Sequence, residues 1–196
     1  MHQLARSVAF EDLAHLVVVP VTAGGVETPF VFDSGIGLTL VSRSLADRLG
    51  CGATGRVFTG RRMSGQEVSV PLATLDSLEL GGYRRSGLTV GIFDLGVPGL
   101  EGIDGFLSLD YFRDAPVTVD YRSQHVVVGE RPPGVPVAVH VDRDGPSTTV
   151  YMPLELPTGR TVSVEALIGR QSALPHRARP APGPPGATGD RRPRAW

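Results

Sequence analysis

One stretch limits the folds open to this chain more than any other: Phe30-Val31-Phe32-Asp33-Ser34-Gly35-Ile36-Gly37-Leu38-Thr39-Leu40-Val41. Two apolar, strand-like runs, Thr28 to Phe32 and Leu38 to Val41, hold an acidic turn between them. Asp, Ser and Gly are ordinary turn formers, so a surface hairpin would explain the triplet taken alone. A carboxylate held between two buried strands is a different matter. Ionising it there is costly unless it is paired or hydrogen-bonded. Placements of that kind usually serve chemistry.

The surrounding sequence supports strands on both sides. Leu16 to Val21 is β-branched and apolar, Gly24-Gly25 signals a hairpin, and Val26 to Phe32 is the return strand. Leu38 to Val41 is a short strand. Ser44 to Leu49 then has the marks of a short helix, with Ser42 or Ser44 to cap it, Leu45 and Leu49 on one face, and Gly50 to end it. Residues 56 to 90 alternate as a long hairpin and its continuation, with Thr59-Gly60-Arg61-Arg62-Met63-Ser64-Gly65 as a polar, Gly-bounded tip. Gly81-Gly82 is a second tight turn and Leu88 to Phe93 a further strand. Phe106 to Phe112 fits helix or strand spacing equally. Pro116 to Tyr121 and His125 to Val128 pair over Arg122-Ser123-Gln124.

Two further zones follow. Residues 135–174 read as strands at Val135 to Val141, Thr148 to Leu156 and Thr161 to Ile168. Met152-Pro153-Leu154, Gly159 and Val162 to Ile168 repeat the order of Val19-Pro20-Val21, its glycine turn and its return strand. Residues 175–196 are rich in Pro, Gly, Ala and Arg, show no periodicity, and are expected to be disordered.

Composition removes several functions. With 196 residues the chain suits one domain or slightly more, and a 41% apolar share suffices for a core. A net charge of -1 without a basic block argues against nucleic acid as a partner. Cys51 is the only cysteine, which excludes an internal disulfide or a thiolate cluster; it reads as a small packing residue. His2, His15, His125, His140 and His176 are scattered without ligand spacing, so neither a metal nor a cofactor is expected. No stretch is long enough to span a membrane, and Met1 to Ala9 lacks a signal-peptide pattern. A cytoplasmic location is therefore expected, or a secreted or periplasmic one if residues are missing ahead of Met1.

Taken in order, Phe32-Asp33-Ser34-Gly35, the following Leu38-Thr39-Leu40-Val41 and a short helix resemble the active-site loop of retropepsin-type aspartic proteases. Ile103-Asp104-Gly105-Phe106-Leu107-Ser108-Leu109-Asp110-Tyr111-Phe112 resembles their second signature, and Pro116-Val117-Thr118-Val119-Asp120-Tyr121 the strand that closes the lobe. The resemblance implies an all-β fold: a closed retropepsin-like barrel lobe with one or two short helices over residues 10–131. The start of a second lobe over 135–174 and the tail would follow it. It implies an aspartic endopeptidase with Asp33 as catalytic carboxylate, supported by Ser34 and Gly35. Thr59, Gly60, Met63, Ser64 and Gly65 would form a substrate-covering flap, and Gly105, Phe106, Leu107 and Ser108 the second signature. Two residues depart from the pattern. Ser34 stands where Thr is commoner, and Ser108 stands where glycine is usual, so that it would crowd the active-site loop.

The chemistry behind the resemblance is general. Hydrolysing a peptide bond without a metal or a nucleophilic side chain needs an activated water and a polarised carbonyl, and two carboxylates sharing one proton supply both. Like charges in contact cannot both ionise, an effect for which aspartic proteases are the reference case, so the pair titrates as a unit. Gly35 leaves room for water and peptide beside Asp33, and the Ser34 hydroxyl can lock two loops together. One lobe carries one such acid. The expected partners are a peptide or protein substrate and a second copy of the chain, whose own Asp33 completes the dyad. The repeat would place its acid near Gly169, where Ile168-Gly169-Arg170-Gln171 has none, and this suggests a truncation or a shifted reading frame.

Other residues read as structural. Asp104 and Asp110 are further candidates for the partner of Asp33, but Asp110 better caps or flanks a helix. Asp120 belongs to a turn, Glu101 to solvent, and Arg61 and Arg62 to an exposed hairpin tip. Ser34 lacks the spacing of a nucleophile elbow, and Gly35-Ile36-Gly37 is not a phosphate loop. The alternative reading is a catalytically inactive pepsin-like lobe that binds peptides or dimerises.

Overall fold

A computed structural model of the chain describes residues 6–13, 15–61, 66–94, 99–135, 137–144 and 147–165. The chain opens with two short strands that its pattern did not mark, β1 (Arg6–Ala9) and β2 (Glu11–Leu13). The β-branched run becomes β3 (Leu16–Ala23), turns at Gly24-Gly25, both at positive φ, and returns as β4 (Val26–Phe32). After the Asp33 loop come β5 (Leu40–Ser42) and α1 (Arg43–Leu49). The strand starts two residues later than expected, and the helix one residue earlier. Ser42 caps α1 by accepting from Leu45 N at 3.0 Å, and Gly50, left-handed at φ 61°, ends it.

The long hairpin is β6 (Gly52–Arg61) and β7 (Glu67–Leu80), and β7 turns at Gly81-Gly82 into β8 (Tyr83–Phe93). The ambiguous run splits: Gly105–Leu107 is strand β9 and Leu109–Phe112 is a 3₁₀ turn. A strand cannot continue there because the chain must leave the barrel, and Ser108 marks the change. The closing hairpin is β10 (Val117–Asp120) and β11 (His125–Val128). Beyond it lie β12 (His140–Asp144), β13 (Ser147–Glu155) and β14 (Thr161–Glu165). The strand expected from Val135 thus begins only at His140; Val135, Val137 and Val139 are exposed and lie outside any ladder.

Strands β2-β3-β4-β9-β5-β8-β7-β6 form one sheet, and an extra pairing of β3 with β7, at Thr22 with Glu79 and Ala23 with Leu78, closes it on itself. The result is all-β and barrel-like, as the resemblance implied. Phe30, Leu45, Leu75, Leu78, Leu80, Leu107 and Tyr111 fill the interior and are at most 1% exposed. Burying one such side chain contributes about 1.5–3 kcal/mol. Tyr111 is polar at its tip, and its hydroxyl donates to Tyr83 O at 2.5 Å and to Leu78 O at 3.3 Å. A second sheet has the order β1-β11-β10, and a third, β12-β13-β14, stands apart.

Strand β9 positions the site. It runs parallel to β4, with Phe30 opposite Gly105 and Phe32 opposite Leu107, and antiparallel to β5, with Leu40 opposite Phe106. It therefore lies between the incoming and outgoing arms of the Asp33 loop. The approach is so close that a Cβ on Gly105 would fall 2.4 Å from the Phe30 ring and 2.6 Å from Leu40 O. Glycine is required there for space alone.

Candidate active site

Asp33 follows the last residue of β4, and its N–H donates to Leu107 O at 3.0 Å, which extends the β4–β9 ladder by one bond. Its Oδ1 accepts from Gly35 N at 2.8 Å, an Asx-type turn made by the triplet itself. Burial pushes the carboxyl above its ordinary range, and the Gly35 N–H pulls it partly back. Asp33 is half-buried, so it is withdrawn from bulk solvent while remaining reachable. Ser34 beside it is buried.

Ser108 does not crowd the loop, contrary to the sequence expectation. It is fully buried, and Thr39 provides for it. The Thr39 hydroxyl accepts from Ser108 N at 3.2 Å and lies 3.1 Å from the Ser108 hydroxyl. The outgoing arm is fixed on its other side as well, because Gly91 N donates to Thr39 O at 2.9 Å. Thr39 thus ties the active-site loop to the second signature, a role that the sequence pattern did not single out.

The loop also meets the β6–β7 hairpin. Leu38 and Leu40 form an apolar cluster with Val70 and Leu72 of β7, against which Ile36, Phe58 of β6, Val68 and Phe106 pack while partly exposed. Of the flap residues, Thr59 lies on the β6 arm opposite Ser69, with the two hydroxyls 2.8 Å apart, and Gly60 lies opposite Val68. Met63, Ser64 and Gly65 lie outside the described residues, as do Arg62, Ile168, Gly169 and the whole 175–196 tail.

Asp104 is not beside Asp33 as a partner acid, for its carboxylate is committed elsewhere. Oδ2 accepts from the Thr28 hydroxyl at 2.6 Å and from Arg48 Nη2 at 2.8 Å, and Oδ1 accepts from the Ser42 hydroxyl at 2.9 Å. Burial would raise its pKa, but these three donors together hold it below the ordinary range. Asp110 lies in the first turn of the 3₁₀ helix, one residue inside it, and pairs with Arg113. Asp120 accepts from Arg122 N and from the backbone and hydroxyl of Ser123, and so belongs to its turn. Among the described residues no second carboxylate bonds to Asp33.

The third sheet reaches this region through Thr148, which sequence reasoning had passed over. Thr148 N donates to Gly37 O at 3.0 Å, and its hydroxyl donates to Asp110 Oδ1 at 3.2 Å. Thr148 is buried. A cleft of about 400 Å³ beside it is bounded by Leu109, Phe112 and Val117 on one side and by Val141 and Val150 on the other. No local pattern marks a threonine for such a contact, because the contact depends on where β13 docks.

Residues 19–111 match a family described as aspartyl protease. A solved retropepsin-like aspartic protease from Rickettsia conorii aligns at TM-score 0.47 and 13% identity, over 64% of this chain and 89% of that one. The retroviral protease-like domain of Ddi1 from Leishmania major aligns at 0.40 and 16% identity, over 60% and 95%. No curated protein sequence matches. Among the described residues no helix is long and apolar enough to cross a membrane. Over residues 19–111, the segment that carries both Asp33 and Gly105 to Ser108, the chain is similar to the family described as aspartyl protease.

Proposed function

We propose that the chain is an aspartic endopeptidase in which Asp33 supplies one of two carboxylates that share a proton, the other being Asp33 of a second copy. The observation that carries this reading is the state of Asp33. It is half-buried at the tip of a loop, its pKa is raised by that burial, and its carboxylate accepts from the Gly35 N–H. A second carboxylate brought alongside would raise one pKa of the pair further and lower the other. The ionised member then takes a proton from water as that water attacks the peptide carbon, and the protonated member donates to the carbonyl oxygen. In this reading the β6–β7 hairpin, rooted on the same apolar cluster as Leu38, closes over the peptide and excludes water.

The repeat within the chain supports a second copy as the source of the twin. Hairpins β3–β4 and β13–β14 correspond, with Pro20 opposite Pro29 in one and Pro153 opposite Ser163 in the other. Asp33 comes four residues after Pro29; four residues after Ser163 the sequence has Leu167. The repeated hairpin thus carries no acid at the matching position.

The test is cleavage of an unfolded protein at mildly acidic pH by the purified chain, with its mass measured in solution. Cleavage by a dimer, lost in Asp33→Asn, is expected. A clean monomer, or a dimer that cleaves nothing, overturns the reading. The second reading, a silent lobe that binds peptides, draws on two observations: no second carboxylate bonds to Asp33 among the described residues, and Thr148 covers Gly37 O in cis. Its mark would be peptide binding that Asp33→Asn leaves unchanged.

A further inference from the structure

We propose that Asp104 is a positioning residue for Asp33: its carboxylate staples the incoming and outgoing arms of the active-site loop together at their base. The geometry comes from β9. This strand separates the two arms, pairing with β4 on one side and β5 on the other, and Asp104 stands immediately ahead of it. From there one carboxylate oxygen takes the hydroxyl of Thr28, in the incoming arm, and the other takes the hydroxyl of Ser42, at the end of the outgoing arm. The backbone of Asp104 makes the same two links. Its N–H donates to Pro29 O at 3.0 Å, and its carbonyl accepts from Ser42 N at 2.8 Å.

Arg48, in the last turn of α1, adds a third donor, so the helix that follows the loop is tied to the same point. Ser42 serves twice, since its oxygen also caps the helix at Leu45 N. All the side-chain groups that converge on Asp104 are donors. A carboxylate, which only accepts, satisfies them together, whereas an amide would turn an NH₂ toward one of them. Such charge-assisted bonds are roughly twice as strong as neutral ones.

The consequence appears at the other end of β9, where Leu107 O holds the Asp33 N–H. With both arms clamped at the base and Asp33 bonded at the tip, the loop between them has few ways to move. A catalytic carboxylate needs that fixity, because small misplacements of reacting groups cost rate steeply. This catalytic consequence rests on the protease reading; the staple itself does not.

Amide hydrogen exchange in the full chain tests it. In Asp104→Asn, exchange at Asp33, Gly35 and Leu45 should rise about tenfold or more, the scale of losing a partly buried hydrogen bond to a charge. Leu75 and Leu88, on the paired strands β7 and β8, should keep their wild-type rates. Thr28→Val, which removes one donor at nearly constant volume, should give the same pattern at smaller amplitude, and it carries the test if Asp104→Asn does not fold. Unchanged rates at Asp33 and Gly35, or equal acceleration at Leu75 and Leu88, overturn the staple. In a cleavage assay Asp104→Asn should lower kcat and leave KM unchanged. An unchanged kcat in a variant whose loop has loosened overturns the positioning role. If the wild type cleaves nothing, the protease reading fails while exchange still decides the staple.

Discussion

The two ends of one loop hold their carboxylates in opposite ways. At the tip, Asp33 has a single backbone donor, and burial leaves its charged form under-supported. At the base, Asp104 has Thr28, Ser42 and Arg48, which overcome its burial and favour the charge. The same residue type, at the two ends of one short strand, is thus weakly supported in one place and firmly held in the other. The difference lies in depth and in the number of donors together, since Asp33 is the more deeply buried and has the fewer. A group meant to exchange protons must not be over-satisfied, and a group meant to hold two strands must be.

That contrast can be tested by substitution. The largest effect should come from the strand that joins the two ends. Gly105→Ala would press a methyl into the Phe30 ring and against the Leu40 carbonyl, and backbone cannot yield as a side chain does. A loss of about 3 kcal/mol in denaturant unfolding is expected; a loss within experimental error would mean that β9 is not tightly held. Next comes the base. Ser42→Ala removes both the helix cap and a donor to Asp104, and should cost about 2 kcal/mol in the same measurement.

The tip should behave in the reverse sense. The folded pKa of Asp33 lies above its unfolded value of about 4. The folded state therefore binds more protons in that window, and stability falls as pH rises through it. Asp33→Asn removes this loss. Its Tm should exceed that of the wild type at neutral pH, and the gap should close below pH of about 4. For Asp104 the sign is opposite, because its folded pKa is depressed. Its contribution is complete above the unfolded value and is lost only as pH falls through the lower, folded one. A neutral-pH Tm for Asp33→Asn below the wild type would break the contrast.

Much of this was legible in the sequence, for identifiable reasons. Period-two alternation and paired glycines marked β3, β4, β7 and β8, and Ser42 with Gly50 bracketed α1. Asp33 stood out because its neighbours were too apolar for an ordinary surface turn. The short strands β1 and β2 were not legible, since three or four residues carry no period and owe their order to a distant partner; β1 exists by pairing with β11. Val135, Val137 and Val139 alternate convincingly yet find no ladder, because alternation signals a strand only where a neighbour is available. Ser108 looked like a defect until Thr39, 69 positions away, was seen to hold it. Asp104 looked like a spare acid for the same reason, as Thr28 and Ser42 reach it only through the fold.

The central claim is that the acid at 33 works only with an identical acid from another chain. Mixing wild type with Asp33→Asn at constant total concentration, allowing exchange of copies, and following peptide cleavage tests it most directly. A dyad shared across a two-fold interface predicts activity that falls as the square of the wild-type fraction, so that an equal mixture keeps about a quarter. Activity that falls in simple proportion, or no cleavage at any ratio, would contradict it.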